Sequence, residues 1–266
     1  MTAYAESGSW PAQLRRRTAA WLPGTAGLVV LLVAWEVAGR TLFADSGTVP
    51  PPTAIVAKMV DDGFGFYWPN IVTTLREAAL GWLWGNAIAI LLAIAFVQIP
   101  LVERALLQLA LASYCLPVIA IGPVLAVLFS EDTPKVILAA LSVIFTTLIA
   151  TIVGLRNADR TSLELIRAYG GGSWTQLWKV RLRASLPSMF AGLRIAAPAA
   201  MLGAIIGEYL GAESGLGVAM INSQQSLAVE RTWGIALVAT ALSGAAYGLT
   251  ALVGALLTPW APRVKR

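Results

Sequence analysis

Long apolar runs separated by short polar segments dominate this chain. A helix needs about 20 mostly apolar residues to cross the hydrocarbon core of a bilayer. Six stretches meet that length: Trp21–Leu42, Ala78–Val102, Ala105–Ser130, Val136–Leu155, Pro187–Leu210, and one within Thr232–Pro262. The first carries Glu36 and Arg40 near its end, and the fifth carries Arg194 near one end and Glu208 near the other. The runs are continuous rather than alternating, so they predict helices and not barrel strands. A helix also satisfies its own backbone where no water can. The expected fold is all-α: a polytopic membrane protein with about six transmembrane helices. Residues 1–20 read as an N-terminal tail, 21–262 as a single transmembrane domain, and 263–266 as a C-terminal tail.

Polar and breaking residues refine this pattern. Pro117, Gly122 and Pro123 interrupt the third span, and such breaks are tolerated where freed backbone groups face protein or a water-filled path. With Ser113 and Tyr114, this bend is expected to border a translocation route. Pro50-Pro51-Pro52 opens the first outer connection as a stiff element or a helix start, and residues 53–62 then suit a short surface helix. Asn86 and Gln98, polar within the second span, suit helix–helix hydrogen bonds. Gly203, Ala204 and Gly207 allow close backbone approach, at a subunit interface or a pore wall. Glu208 is either part of the path or gate, or a hydrated or capping residue at the outer interface. Glu36 reads as interfacial.

Composition narrows the class. The chain is 58% hydrophobic and 12% charged over 266 residues, where a soluble domain is about half apolar and a quarter charged. Polar surface is too scarce for a soluble globule, and hydrophobicity too high for disorder. Histidine is absent and Cys115 is the single cysteine. That removes His-based acid–base chemistry, Ser-His and Cys-His nucleophiles and nearly all transition-metal sites. No catalytic residue, metal or cofactor is expected. Cys115, in an apolar stretch, reads as a small buried hydrophobe. No small-residue cleavage site follows the first apolar run, which is expected to be retained as a span.

The net charge of +5 is explained by topology rather than nucleic acid, because the basic residues sit between apolar runs. With the N-terminus inside, the inner segments hold thirteen cations: Arg15, Arg16, Arg17, Arg104, Arg156, Arg160, Arg167, Lys179, Arg181, Arg183, Arg263, Lys265 and Arg266. The outer segments hold four, Arg40, Lys58, Lys135 and Arg231; Arg76 and Arg194 are set aside as helix-end residues. Asp45, Asp61, Asp62, Glu131, Asp132, Glu213 and Glu230 fall outside. A multi-pass protein of the cell membrane with both termini cytoplasmic is the expectation.

The inner loop 156–187 is the informative segment. Thr161-x-x-Glu164 and Ser173-x-x-Gln176 have the capping-box form of helix starts. Gly170-Gly171-Gly172 between them supplies a positive-φ turn, and Pro187 suits the first turn of the following helix. The loop therefore predicts helix, glycine turn, helix, then the fifth span. Trp174, Leu177 and Trp178 at i, i+3, i+4, with Lys179, Arg181 and Arg183 beside them, form a short amphipathic element with an aromatic face. Physics alone leaves two roles open: a membrane-interface helix, or a rigid knob filling a partner's groove.

Glu164-x-x-Arg167-x-x-Gly170, Trp174 and Leu186-Pro187 resemble the cytoplasmic loop motif of binding-protein-dependent ABC importer permeases. That motif runs Glu-Ala-Ala, three residues, Gly, and a later Leu-Pro. Val49-Pro50-Pro51-Pro52-Thr53 is similar to the opening of that family's first outer loop, and Gly203–Gly217 is similar to the stretch around its fifth span. Within the family, the likeness is to the nitrate, sulfonate and taurine permeases. Leu165-Ile166 replace the paired alanines, and Arg183 stands where many relatives have a first proline.

The resemblance implies a permease subunit for a small solute such as an aliphatic sulfonate, taurine or nitrate-like anion, with a thiamine-precursor pyrimidine as the alternative. It implies a coupling helix seated in a separate ATPase subunit, a second permease copy, and an extracytoplasmic binding protein. Independently, no G-x-x-x-x-G-K-[ST] occurs in the chain, so it carries no P-loop of its own. Two other classes fit less well. An intramembrane enzyme lacks its usual buried His and acids. An ion-driven transporter would not need a long amphipathic inner loop.

Overall fold

The computed structural model describes residues 10–114, 117–130 and 132–261. Ten α-helices follow one another: α1 Trp10–Thr41, α2 Pro52–Gln98, α3 Pro100–Tyr114, α4 Val118–Leu128, α5 Thr133–Arg156, α6 Arg160–Ala168, α7 Ser173–Gln176, α8 Leu182–Glu208, α9 Leu216–Gln225 and α10 Val229–Leu257. A π turn, Leu177–Arg181, joins α7 to α8. Among the described residues, five helical stretches are long and apolar enough to cross a membrane: Pro23–Thr41, Pro52–Gln98, Thr133–Arg156, Ser173–Glu208 and Val229–Leu257.

The third expected span is not one helix. It is built from α3 and the 11-residue α4, which Pro117 caps in extended conformation. Proline has no N–H to donate and pushes its predecessor out of the helical region. Pro123, by contrast, is accommodated inside α4. The side chains of Ser113 and Tyr114, and all of Cys115, lie outside the described residues.

The second span also starts earlier than its uncharged run. Pro52 stands at the first turn of α2, and Gly63 at φ 69° kinks the helix between residues 52–62 and 64–98. The short helix expected at 53–62 is thus the first arm of α2. Arg76 and Glu77 are interior residues rather than a helix end, and Glu77 is buried. Lys135, counted among the outer loop cations, is buried in the first turn of α5.

α5 lies at the centre, between α2 and α8. Small residues let the three backbones meet. A Cβ on Gly81 would stand 2.3 Å from that of Ala139, and one on Gly85 2.6 Å from the Ala140 carbonyl. On the other side, a Cβ on Gly203 would meet Ala139 Cα at 2.7 Å, and one on Gly207 would meet Lys135 Cα at 2.7 Å. Gly203 and Gly207 therefore serve packing within the chain, where dispersion between close helices replaces the hydrophobic effect. Thr147 of α5 donates to Asn86 of α2, as a polar residue in that span should. Gln98 Nε2 is buried without a hydrogen-bond partner among the described residues. The end that carries Arg156 is termed inner, after the basic-residue bias of the sequence, and the opposite end outer. Towards the inner end, Phe96, Leu148, Ile152 and Leu155 form an apolar cluster that also receives Leu177.

α1 is tied on at its outer end. Glu36 accepts from the Thr53 N–H at 3.1 Å and the Thr53 hydroxyl at 2.7 Å, and Arg40 donates to Glu36 at 2.5 Å. Glu36 is thereby an anion at the N-terminus of α2, a favourable site for negative charge. Trp35 packs against Trp233 of α10 with ring centroids 5.5 Å apart.

Candidate functional site

Two ends of the bundle carry chemistry. At the inner end, Arg156 closes α5 and donates to both carboxylate oxygens of Glu103 at 2.5 and 2.6 Å. The loop that follows forms a helical elbow. Its first helix is not started by Thr161 and Glu164. Asp159 caps it instead, accepting from the Ser162 N–H at 2.9 Å and the Ser162 hydroxyl at 2.8 Å. Those bonds hold the Asp159 carboxyl below the usual carboxylate range. With the cap two residues earlier, the donor satisfied is the Ser162 N–H, not the Leu163 or Glu164 N–H that a capping Thr161 would have taken.

The end of α6 follows the expected geometry. Gly170 has φ 79°, its N–H bonds to the Arg167 carbonyl at 2.9 Å, and the Gly171 N–H bonds to the Ile166 carbonyl at 2.8 Å. This is the two-bond closure that a left-handed residue permits. The second capping box is also unused, since Gly172, not Ser173, is the N-cap of α7 and no side chain caps it. Gln176 turns back instead to donate to the Leu163 carbonyl at 3.2 Å, bracing the two arms of the elbow.

The second short helix does not end before the fifth span. α7, the π turn and α8 run on as one, and Pro187 lies inside α8 rather than in its first turn. The aromatic face is accordingly divided. Leu177 is 1% exposed and locks into the inner cluster. Trp174 and Trp178 project outward at 62% and 69% exposure, beside exposed Leu165 and Tyr169. Glu164 and Arg167 share the exposed surface of α6, and Leu186 and Pro187 are half-buried behind the elbow.

At the outer end, Glu208 is fully buried. One carboxylate oxygen accepts from the Thr74 hydroxyl and the other from the Gly217 N–H at 2.5 Å. Thr74 in turn accepts the Leu216 N–H at 2.9 Å, and Asn70 accepts the Gly215 N–H at 3.0 Å. The orphan donors that open α9 are thus satisfied by side chains from α2 and α8. Gly215 is required twice over. Its φ is 128°, and a Cβ there would lie 2.3 Å from the Glu208 carboxyl carbon. Lys135 lies 3.3 Å from Glu77 and 2.8 Å from Asp132, so α2 and α5 are joined by charge next to the α9 anchor.

The apolar pattern pointed to Glu208, but Glu77, Lys135 and Thr74 were missed. Only the interruption of the apolar run at Arg76-Glu77 hinted at them. Gly207 and Lys135, with Gly122, Ser130 and Gly211, line a cavity of about 140 Å³ at this end. Pro117 and Pro123 are exposed on the α4 side. An apolar cleft of about 280 Å³ between α2, α8 and α10 is lined by Trp82, Phe190, Met201 and Leu249 among others.

The described residues thus form a helical bundle with a basic elbow projecting from one end. The chain belongs to the family of binding-protein-dependent transport system inner membrane components, whose profile matches residues 85–263. It is an ABC-transporter permease of the inner membrane.

Among its relatives, the formylaminopyrimidine transport permease protein ThiX of Halalkalibacterium halodurans is 32% identical over 74% of this chain and 78% of its own length. The riboflavin transport system permease protein RibX of Chloroflexus aurantiacus is 32% identical over 88% of each chain. The putative aliphatic sulfonates transport permease protein SsuC of Bacillus subtilis is 26% identical over 79% of this chain and 77% of its own. In architecture the chain is similar to the MetNI methionine ABC transporter in inward-facing conformations, with a TM-score of 0.56 at 17% identity, over 72% of this chain and 94% of the other.

Proposed function

We propose that this permease works as one of two copies around a central path, driven by two separate ATP-hydrolysing subunits and supplied by an extracytoplasmic binding protein. Both termini are cytoplasmic in this reading, and the chain itself catalyses no reaction. The elbow 156–187 is the seat of the ATPase subunit. Glu164, Arg167, Gly170, Trp174, Leu177, Trp178, Leu186 and Pro187 shape it, with Leu177 as the inward anchor. ATP-driven closure of the partner would pass through the elbow into α8, which continues from it without a break.

The observation that carries this reading is the exposed surface of Leu165, Tyr169, Trp174 and Trp178 on a rigidly braced, basic projection. Large aromatics held this way are suited to filling a groove. Co-purification tests it: Trp174→Ala with Trp178→Ala should lose the ATPase subunit while the permease still inserts and folds. Retention of the subunit and full solute-stimulated ATP hydrolysis by that double variant would sink the assignment.

The broken α3–α4 segment with Ser113, Tyr114, Pro117 and Pro123, and the outer end with Gly207 and Glu208, border the path in the same reading. The solute is a small oxoanion such as an aliphatic sulfonate, taurine or nitrate. A thiamine-precursor pyrimidine is the second reading, favoured by the 32% identity to ThiX against 26% to SsuC. Calorimetry of the cognate binding protein with taurine and with formylaminopyrimidine decides between them.

A further inference from the structure

Arg194 stands in α8 with its side chain exposed, and it makes no hydrogen bond or ion pair among the described residues. Its depth follows from the register of α8 against α5. A Cβ on Gly192 would lie 2.6 Å from that of Ala150 and 3.4 Å from Thr147 Cα, while Gly203 faces Ala139 and Ser142. Two residues beyond Gly192, Arg194 is therefore level with Thr147. Thr147 is twelve residues from Lys135 and nine from Arg156, or about 18 Å and about 14 Å at the helical rise of 1.5 Å per residue. Lys135 belongs to the outer charge cluster and Arg156 to the inner ion pair, so Arg194 lies close to the bilayer midplane. It is not the helix-end residue that the sequence suggested.

An arginine facing hydrocarbon at that depth is strongly disfavoured, and its side chain is too short to snorkel to either charge layer. It must face water or an anion. Among the described residues, Glu36, Asp61, Asp62, Glu77, Glu208 and Glu230 of the membrane-crossing helices stand at the outer end, and Glu103 of α3 stands at the inner end, paired with Arg156. A second copy of this chain therefore brings no described acid to the level of Arg194; it brings another Arg194.

We infer that Arg194 is the group that receives the solute's anionic head midway along the translocation path, and that the solute class is a small oxoanion. A guanidinium presents paired N–H donors that match sulfonate, carboxylate or nitrate oxygens. The inference rests on the permease reading above and deepens it.

Cysteine accessibility tests it without knowledge of the native solute. In a Cys115→Ser background, Ile195→Cys is placed beside Arg194, and Leu202→Cys two turns further along the exposed face serves if the first disturbs folding. Membrane vesicles of both orientations are treated with the anionic reagent sulfonatoethyl methanethiosulfonate and with its trimethylammonium counterpart. Each rate is divided by that with a free thiol. The expected result is an anion preference of tenfold or more, kept in Arg194→Lys and lost in Arg194→Gln. Labelling without charge preference, or a preference that survives Arg194→Gln, overturns the proposal. So does the absence of labelling by either reagent at both cysteines, which places this face in lipid. Loss of the ATPase partner is read separately by co-purification, so failure of the two assignments is distinguishable.

Discussion

Glu208 satisfies one backbone donor of α9 directly and orients Thr74 to satisfy a second. Removing the carboxylate strands buried donors, at about 1–3 kcal/mol for each group left unpaired. Glu208→Ala is expected to lower the thermal midpoint of the purified permease by several degrees, and Glu208→Gln, which keeps one acceptor, by less. Equal melting of wild type and Glu208→Ala would remove the anchor from the account. Gly215→Ala tests the same site from the backbone. The added Cβ meets the Glu208 carboxyl at a positive φ, where a non-glycine residue costs about 1–3 kcal/mol before any clash, so this variant should melt below Glu208→Gln. The sequence made Glu208 conspicuous because an acid in an apolar run is rare. It could not show Thr74 and Asn70, ordinary polar residues that topology brings from over 130 positions away. Glu77 and Lys135 were hidden for a related reason: hydropathy scores each charge as an interruption, and their pairing across helices is a tertiary fact.

The inner elbow separates two kinds of residue that one helical stripe had merged. Leu177→Ala should cost about 2–5 kcal/mol, as for other large-to-small core changes, because Leu177 is buried against Phe96, Ile152 and Leu155. Trp174→Ala should leave the melting temperature within a degree or two and weaken only the partner's hold. If both variants melt alike, the division between anchor and docking surface is wrong. Gly170 has open space around its Cα, so its substitution is resisted by backbone alone. Gly170→Ala should cost about 1–2 kcal/mol. Gly170→Val should cost more, since a β-branched residue tolerates positive φ poorly; limited proteolysis of the elbow would report the loosening. The glycine run was legible because few residues adopt that φ. Both capping boxes were misleading, because a capping pattern records what could satisfy a helix start. Asp159 and a bare Gly172 took those places. The continuity of α7 into α8 was illegible for the converse reason: Pro187 suggests a start, yet a helix held by packing on both sides tolerates it within.

For the molecule as a whole, the crossing count turns on the third span. α4 is too short to cross alone and α3 has 15 residues, yet together they connect the inner Glu103–Arg156 pair to the outer Asp132–Lys135 pair. If the broken pair crosses, the connection after α1 and the connection after α8 lie on the same side, and the elbow on the other. If it does not, those two connections lie on opposite sides. A cysteine at Ser46, at Glu213 or at Tyr169, each exposed, converts this parity into a measurement in the Cys115→Ser background. An impermeant maleimide added to intact cells or spheroplasts is expected to label Ser46→Cys and Glu213→Cys, and to label Tyr169→Cys only after the membrane is opened. That outcome fixes α3–α4 as one interrupted crossing and agrees with the thirteen-to-four bias of basic residues. Labelling of Ser46→Cys and Glu213→Cys from opposite sides would instead leave α3–α4 as a re-entrant element. The basic elbow would then lie on the same side as Ser46, away from any cytoplasmic ATPase.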